Sequence, residues 1–178
     1  MTYIALEGID GIGKSTICQI LLREYPNILL VKEPTQVLPF TDPFARAIAH
    51  YADRVNLMRE IKQALATNRS VVSDRCYLST LVYQGHTGVF KYLHEFFSHI
   101  IELPQIYVLI DTSSSAYESH VERMKGRNDL PIDHPEYLEL MYKYEKLGKS
   151  YATVIIDLND FNHDVEKIAK YIAQTGLQ

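Results

Sequence analysis

The sequence predicts an α/β fold in which a parallel sheet carries helices on both faces. Short apolar runs, each about as long as one strand, alternate along the chain with longer stretches of helical pattern. Strands that are separated by helices in this way pair in parallel, because the crossover returns the chain to the same end of the sheet. The 178 residues contain no repeat, low-complexity tract or linker, so we expect one domain over 1–178.

Several helices carry their own start and stop signals. Pro26 ends the first helix, while Asp42 and Pro43 are typical of the N-cap and first helical position of the second. The long helical stretch after the third strand is expected to be interrupted near Gly85 and Gly88. The predicted strands cover 3–6, 28–31, 70–73, 106–110 and 154–156, and the predicted helices cover 14–25, 43–67, 77–101, 116–125, 135–151 and 165–174.

Composition and charge exclude several classes of protein. Hydrophobic residues make up 47% and charged residues 22%, which is typical of globular proteins, and the net charge of −4 argues against a protein that coats nucleic acid. Cys18 and Cys76 lack the spacing of a zinc site or a redox pair, so we expect two buried thiols. Without a basic leader or a long apolar stretch, we expect no membrane association and a cytoplasmic location.

Polar residues follow three of the predicted strands. Glu7-Gly8 follows the first strand, Lys32-Glu33-Pro34 the second and Asp74-Arg75 the third. The carboxyl ends of parallel strands lie at one edge of a sheet, which is where α/β proteins bind their ligands. We therefore expect these three polar segments to meet at one site.

A phosphate-binding loop occupies the first strand–helix junction. Residues 8–15 match G-x-x-x-x-G-K-[ST] in full, between a predicted strand and a predicted helix. Glycines let the backbone N–H groups turn toward a polyphosphate, and Lys14 reaches the β- and γ-phosphates. This context makes a chance match rare, and the fold prediction becomes a three-layer P-loop NTPase fold. The predicted ATP-binding residues are Gly8, Ile9, Asp10, Gly11, Ile12, Gly13, Lys14, Ser15 and Thr16.

Two carboxylates near this loop point to a cation. Asp10 lies inside the loop and Asp74 lies at the end of the third strand, and both would repel a triphosphate unless a cation intervenes. Mg²⁺ is the natural mediator. The predicted metal-site residues are Ser15, whose hydroxyl is a ligand in this motif, Asp10 and Asp74.

Three arginines are candidates for binding a second anion. Arg75 follows the third strand, where its guanidinium would face the phosphate loop and could hold a phosphate with two parallel hydrogen bonds. Arg46 and Arg54 are eight residues apart on one predicted helix and therefore face roughly the same way. From the spacing alone, these two could equally be solvated surface residues.

Three segments of the chain together carry a resemblance to a known family. Glu33-Pro34 follows the second strand, and residues 74–85 have the pattern D-R-x-x-x-S-x-x-x-Y-Q-G. Together with residues 7–16, these segments resemble thymidylate kinase, with a weaker likeness over 104–111 and a last strand that ends at Asp157. The phosphate loop alone occurs in many families, and its pairing with the second pattern is much more specific.

The resemblance implies where an acceptor nucleotide is bound. It implies that Arg75 holds the acceptor phosphate together with Arg46, that Asp10 lies near this phosphate and its metal, and that Arg54 reads the base. Thr80 would lie beside the base, and Tyr83 would lie against the sugar, where it disfavours a 2′-hydroxyl. The implied acceptor-binding residues are Glu33, Pro34, Arg46, His50, Tyr51, Arg54, Arg75, Thr80, Tyr83 and Gln84.

One departure from the family concerns the acceptor base. The family usually stacks a phenylalanine on the base four residues before the base-reading arginine, and this chain has His50 there, with Tyr51 beside it. The segment between Arg46 and His50 is also shorter than in typical members. Either ring could stack on a base, so the sequence leaves the identity of the base more open than the reaction.

A basic segment resembles the lid that closes over ATP in this family. We expect the lid at about 123–134, with Arg123 and Arg127 one helical turn apart, so that both can approach the triphosphate. Their role would be to stabilise charge on the transferred phosphoryl group. A solvated helix end is the alternative. The implied catalytic residues are Lys14, Asp10, Arg75, Arg123 and Arg127.

The resemblance implies transfer of the ATP γ-phosphoryl group to dTMP, with Mg²⁺ as cofactor. It also implies a homodimer whose only other partners are small-molecule nucleotides. Three alternatives remain: a kinase for another deoxynucleotide or deoxynucleoside, a nucleotide-dependent ATPase switch, and a nucleotide sensor without catalysis. The first differs in its acceptor, whereas a switch would hydrolyse ATP without one. Asp74 followed directly by Arg75 favours an acceptor anion.

Overall fold

A computed structural model describes residues 1–36, 39–85, 87–111, 117–126 and 132–177. The described residues form a five-stranded, all-parallel sheet with the order β2-β3-β1-β4-β5. The predicted α/β fold class is confirmed. The strands are β1 (Tyr3–Glu7), β2 (Leu29–Lys32), β3 (Val71–Asp74), β4 (Ile106–Asp111) and β5 (Val154–Asp157).

Helices cover both faces of this sheet, as the sequence predicts. The stretch predicted as one interrupted helix is two helices, α3 and α4, separated at the two glycines near which we expected the break. Asp42 caps the second helix by accepting a hydrogen bond from the Ala45 amide, with Pro43 at its first position. The helices are α1 (Lys14–Glu24), α2 (Pro43–Ala66), α3 (Tyr77–Gln84), α4 (Val89–Ser98), α5 (Tyr117–Lys125), α6 (His134–Tyr151) and α7 (Val165–Gly176), with a short 3₁₀ helix at Leu158–Phe161.

The alternation of side chains along the strands divides the core in two. On β1, Tyr3 and Ala5 belong to the cluster shared with α2, α3 and α6, while Ile4 and Leu6 belong to the cluster shared with α1 and α7. Successive residues of a strand point to opposite faces, so a central strand with helices on both sides is apolar throughout. All five residues of β1 are accordingly buried.

The strand register brings the three polar segments to one edge of the sheet. Leu6 and Lys32 both pair with Asp74, so β1, β2 and β3 end at the same level. The convergence predicted from the strand ends is therefore confirmed. Among the described residues, no helix is long and apolar enough to cross a membrane.

Close contact between α6 and β4 gives a prediction about stability. A Cβ atom at Gly148 would lie 2.4 Å from Leu109 Cδ2, and Leu109 is buried in the core. We expect Gly148→Ala to lower the free energy of unfolding by about 1–3 kcal/mol through overpacking. Gly126→Ala is the matched control, because a Cβ atom there would meet its nearest neighbour at 3.5 Å. Urea denaturation measures both, and equal effects would contradict the packing argument.

Candidate active site

The phosphate loop connects β1 to α1 by a backbone path that needs glycine. Gly8, Gly11 and Gly13 all have positive φ. At Gly8 a Cβ atom would also lie 2.5 Å from the carbonyl oxygen of Ile110 on β4, so the first turn of the loop can lie against the sheet only without a side chain. Ile9 and Ile12 are buried in the core, which leaves the backbone of the loop to face a ligand.

Lys14 is buried at the start of α1, beneath the loop. Its Nζ donates hydrogen bonds to the carbonyl oxygens of Gly8, at 2.9 Å, and Ile9, at 2.7 Å. Burial, followed by the nearby charge of Arg75, lowers the pKa of Lys14 to about 7. The amine therefore lies at the bottom of the loop with its charge poorly solvated, and an anion bound in the loop would stabilise that charge.

Ser15 and Asp74 form the oxygen-rich part of the site. The Ser15 hydroxyl donates a 2.5 Å hydrogen bond to Asp74 Oδ2 across the junction of α1 and β3. Among the described residues there is no cluster of three or more metal-ligating side chains. One hydroxyl and one carboxylate beside a phosphate loop fit Mg²⁺, which keeps several waters and takes its remaining ligands from substrate phosphates.

Arg75 lies opposite the phosphate loop. Its backbone is in the left-handed region, with φ of 73°, and its amide donates to the carbonyl of Leu6 on β1. The side chain forms an ion pair with Asp10 of the loop, and its guanidinium lies 5.0 Å from the ring centre of Tyr83. Partial burial by itself would raise the pKa of Asp10, but the charges of Arg75 and Lys14 outweigh it and hold this pKa below its ordinary value.

A cleft of about 370 Å³ is lined by both Arg75 and the loop. A smaller cavity of about 30 Å³ adjoins it, and the two share three lining residues, Glu33, His50 and Arg75. The cleft is lined by Asp10, Gly11, Gly13, Lys14, Ser15, Lys32, Glu33, Pro34, His50, Asp74, Arg75 and Tyr83. The structure therefore brings most of the sequence-predicted site residues to the cleft and the cavity beside it.

Arg54 lines the smaller, inner cavity and is fully buried. It forms an ion pair with Glu33, to which its Nε donates at 2.7 Å, and its Nη2 donates to Thr80 Oγ1 at 3.2 Å. Arg54 Nη1 has no hydrogen-bond partner among the described residues. A buried donor without a partner costs free energy, so the inner cavity favours a ligand with an acceptor atom at this position.

His50 forms the wall between the cleft and the inner cavity. It lies one helical turn from both Arg46 and Arg54 on α2. Partial burial, then the charges of these two arginines, lower its pKa to about 4. The imidazole is therefore neutral at pH 7. It presents an uncharged ring to the cleft and to the inner cavity.

Comparison with known proteins decides the family. The thymidylate kinase family model matches residues 37–169, which is most of the chain. The chain belongs to the thymidylate kinase family. It is therefore a phosphotransferase. The matched segment begins after the phosphate loop, so the loop is independent support from its own sequence and geometry.

Relatives and solved structures agree with this assignment. The chain is 27% identical to a probable thymidylate kinase of Pyrobaculum aerophilum, over 83% of this chain and 81% of the relative. It is 30% identical to that of Methanopyrus kandleri, over 70% of this chain and 71% of the relative. Two solved thymidylate kinases share the fold. The enzyme of Candida albicans has a TM-score of 0.74 and 18% sequence identity, over 98% of this chain and 91% of that one. The enzyme of Ehrlichia chaffeensis has a TM-score of 0.62 and 22% sequence identity, over 88% of this chain and 85% of that one.

The structure places two of the implied acceptor residues away from the thymidylate kinase cleft. Tyr51 is completely buried in the core, where its ring stacks on Phe97 at 4.5 Å and its hydroxyl bonds to His94. Successive residues of a helix point about 100° apart, so Tyr51 faces the core while His50 faces the cleft. Gln84 ends α3 and is not among the residues that line the cleft or the inner cavity.

Arg46 lies on the cleft side of α2 but bonds elsewhere. Its Nε donates to the carbonyl oxygen of Phe40 at 2.9 Å, and it does not line the cleft. Since Arg46 is only partly buried, its long side chain can change rotamer. An approach to the acceptor phosphate stays a prediction.

Helix α5, which contains the first residues of the segment expected to form the lid, contacts the phosphate loop directly. Arg123 Nε donates to the carbonyl oxygen of Gly11 at 2.8 Å. His120 and Met124 pack on the same glycine, where a Cβ atom would lie 3.1 Å from Met124 Sδ. His120, which is almost completely buried, was not among the predicted site residues. Arg127 lies outside the described residues.

The buried amine of Lys14 gives a prediction about protons. With a pKa of about 7 in the free protein, Lys14 is mostly neutral at pH 8, and a bound triphosphate raises that pKa. Nucleotide binding should then take up close to one proton at pH 8 and about half a proton at pH 7. Calorimetry in two buffers with different ionisation enthalpies measures this uptake.

Lys14→Arg is the matched control for this measurement, because a guanidinium stays charged at every accessible pH. The variant should lose this uptake. An uptake that is the same in the wild type and in Lys14→Arg would show that Lys14 is already charged in the free protein.

Proposed function

We propose that the chain transfers the γ-phosphoryl group of ATP to the 5′-phosphate of dTMP, giving ADP and dTDP, through the residues described above. The observation that carries the proposal is the position of Arg75, which lines the same cleft as the phosphate loop and forms an ion pair with Asp10 of that loop. A loop for a triphosphate and an arginine for a second anion are the two parts that phosphoryl transfer between nucleotides requires.

On the donor side, backbone N–H groups of residues 8–15 would hold the β- and γ-phosphates of ATP, with Lys14 beneath them. Bound phosphate competes for the Lys14 amine, which otherwise bonds to the carbonyls of Gly8 and Ile9. Ser15 and Asp74 would hold Mg²⁺, which neutralises charge on the phosphates when it is bound. Both residues supply hard oxygen ligands that already lie together.

On the acceptor side, Arg75 would bind the 5′-phosphate of dTMP, and Asp10 would yield its place on the guanidinium to this phosphate. Arg54 and Thr80 would contact one edge of the base from the inner cavity, which at about 30 Å³ admits a single polar group and not a whole ring. Arg54 Nη1 needs an acceptor there. Tyr83 lines the cleft between these two points, beside Asp10 and Arg75, which suits contact with the sugar. His50 would lie against the base as a neutral ring.

The lid is proposed at about 123–134, within a single kinase domain that covers 1–178. Arg123 already reaches the phosphate loop at Gly11. We propose that Arg123, with Arg127, stabilises charge on the transferred phosphoryl group, and that lid closure excludes water, which would otherwise hydrolyse ATP.

We also propose a homodimer, located in the cytoplasm and without nucleic-acid partners. The homodimer is supported by an apolar groove on the outer side of α2, which is lined in part by Phe40, Ile48 and Ala52. Phe40 and Ile48 are both more than 40% exposed. Exposed apolar surface of this kind is typical of protein interfaces. Sedimentation would test the proposal, and a monomer at every concentration would refute it.

Arg75 carries the proposal, and its replacement gives the clearest kinetic prediction. Arg75→Ala should lower kcat/KM for the acceptor about a hundredfold or more, since hydrogen bonds to charged groups contribute about 1.5–3 kcal/mol each. The Kd for ATP should change little, whereas Lys14→Ala should abolish turnover. Arg59→Ala, on the exposed face of α2, is the control. Full activity in Lys14→Ala, or an unchanged kcat/KM in Arg75→Ala, would refute these assignments.

ADP release with different acceptors separates the proposed function from its alternatives. With dTMP, other deoxynucleoside monophosphates and deoxynucleosides offered in turn, we expect the highest kcat/KM for dTMP and little ADP release without an acceptor. A higher kcat/KM for another acceptor would favour a kinase for another deoxynucleotide or deoxynucleoside. ADP release without any acceptor would favour an ATPase switch.

The same assay with His50→Phe tests the proposed contact with the base. The variant should lower the KM for dTMP about two- to tenfold, because a phenyl ring buries more apolar surface on a base. An unchanged KM would place His50 outside the base site.

A further inference from the structure

The guanidinium of Arg75 has two edges that face different surroundings. Nη2 points to the cleft, where it contacts Asp10 and the hydroxyl of Tyr83. Nη1 points into the protein and donates to Ser79 Oγ at 2.9 Å and to the hydroxyl of Tyr144 at 3.1 Å. The buried edge is therefore held by two hydroxyls, whereas the other edge is held by two residues that line the cleft, Asp10 and Tyr83. A phosphate in the cleft would replace Asp10 on this edge.

When Glu7 is ionised, the hydrogen bonds around Ser79 run in one direction. Ser79 Oγ also bonds to Glu7 Oε2, and a carboxylate can only accept, so the single Ser79 proton goes to Glu7. The lone pairs of Ser79 are then free to accept from Arg75 Nη1 and from the Tyr144 hydroxyl, which lies 2.9 Å away. As a carboxylate, Glu7 thus makes Ser79 an acceptor toward Arg75.

Glu7 also fixes the first turn of α3. Its Oε1 accepts hydrogen bonds from the amides of Cys76, at 3.0 Å, and Ser79, at 3.3 Å, and Cys76 offers no side-chain cap of its own. Glu7 directly precedes Gly8, the first residue of the phosphate loop. One side chain therefore connects the start of that loop to the helix that follows Arg75.

Glu7 contacts neither the cleft nor the inner cavity, and it has no solvent exposure. Burial raises its pKa, against the opposing effects of the Ser79 hydroxyl and the Arg75 charge. A fully buried carboxylate is unfavourable unless its partners compensate it. One of the partners that compensate Glu7, the Ser79 hydroxyl, also holds Arg75.

We propose that Glu7, Ser79 and Tyr144 are positioning residues that fix the Arg75 guanidinium, so that its Nη2 edge is presented to the acceptor phosphate. The inference rests on the proposed function for the identity of this anion. The geometry of the network is independent of it. Tyr144 brings α6 into the proposed acceptor site, although Tyr144 lies 69 residues from Arg75 in sequence.

Glu7→Gln separates positioning from helix capping. The glutamine oxygen can still accept from the amides of α3, but its NH₂ group would donate to Ser79 and occupy a lone pair that now serves Arg75. We expect the KM for the acceptor to rise about tenfold or more while the KM for ATP stays within about twofold. Tyr144→Phe, at a residue that lines neither the cleft nor the inner cavity, should show the same split.

Tyr107→Phe is the matched control for Tyr144→Phe, because Tyr107 is a buried tyrosine whose hydroxyl has no hydrogen-bond partner among the described residues. Its kinetic constants should not change. Equal changes in both KM values, or a Glu7→Gln enzyme with wild-type kinetics, would overturn the proposal.

A second readout needs no acceptor. In the ligand-free protein, NMR signals of the Arg75 Nη protons should be resolved, because hydrogen bonds hinder rotation of the guanidinium, and they should average in Ser79→Ala and Glu7→Gln. Signals that are averaged in the wild type would overturn the network whatever the acceptor is. A wild type with resolved signals that fails to phosphorylate dTMP would overturn only the proposed function.

Discussion

The guanidinium of Arg75 lies between a buried polar network and an open cleft, and the other parts of the site are arranged around that position. Its backbone leaves β3 in the left-handed region, next to the carboxyl end of β1. Because β1 and β3 are neighbours in a parallel sheet, the phosphate loop after β1 and the arginine after β3 must face each other. The sheet thus fixes the distance between the phosphate loop and the backbone of Arg75.

Positive charge is concentrated on both sides of this cleft and is only partly compensated. Lys14 and Arg54 are buried, and Arg75 is nearly so. Asp10 and Glu33 each neutralise one guanidinium, whereas the Lys14 amine is left with backbone carbonyls. The lowered pKa values of Lys14 and His50 have the same origin, since burial and neighbouring cations disfavour a further positive charge. Bound phosphates would relieve this repulsion, so the charge pattern favours anionic ligands.

Local sequence patterns predicted the fold and the phosphate loop. The alternation of short apolar runs with helical stretches, the helix caps and the loop motif each depend on residues that are close in sequence. Arg75 was also predictable, since its place at a strand end follows from the topology. The burial of Tyr51 was not predictable, because the adjacent rings of His50 and Tyr51 could both stack on a base. Only the packing of Tyr51 against Phe97 in the folded structure distinguishes the two. The contacts of Glu7 with Ser79 and of Tyr144 with Arg75 join residues 72 and 69 positions apart, for which the sequence pattern carried no signal.

The central claim is that donor and acceptor phosphates lie end to end between the phosphate loop and Arg75. The most direct measurement is the affinity of a bisubstrate ligand in which adenosine and deoxythymidine are joined through a chain of phosphates. The account predicts that this ligand binds more tightly than ATP or dTMP alone, displaces both, and loses its advantage in Arg75→Ala. A ligand that binds no better than ATP and leaves dTMP binding unchanged would contradict the account.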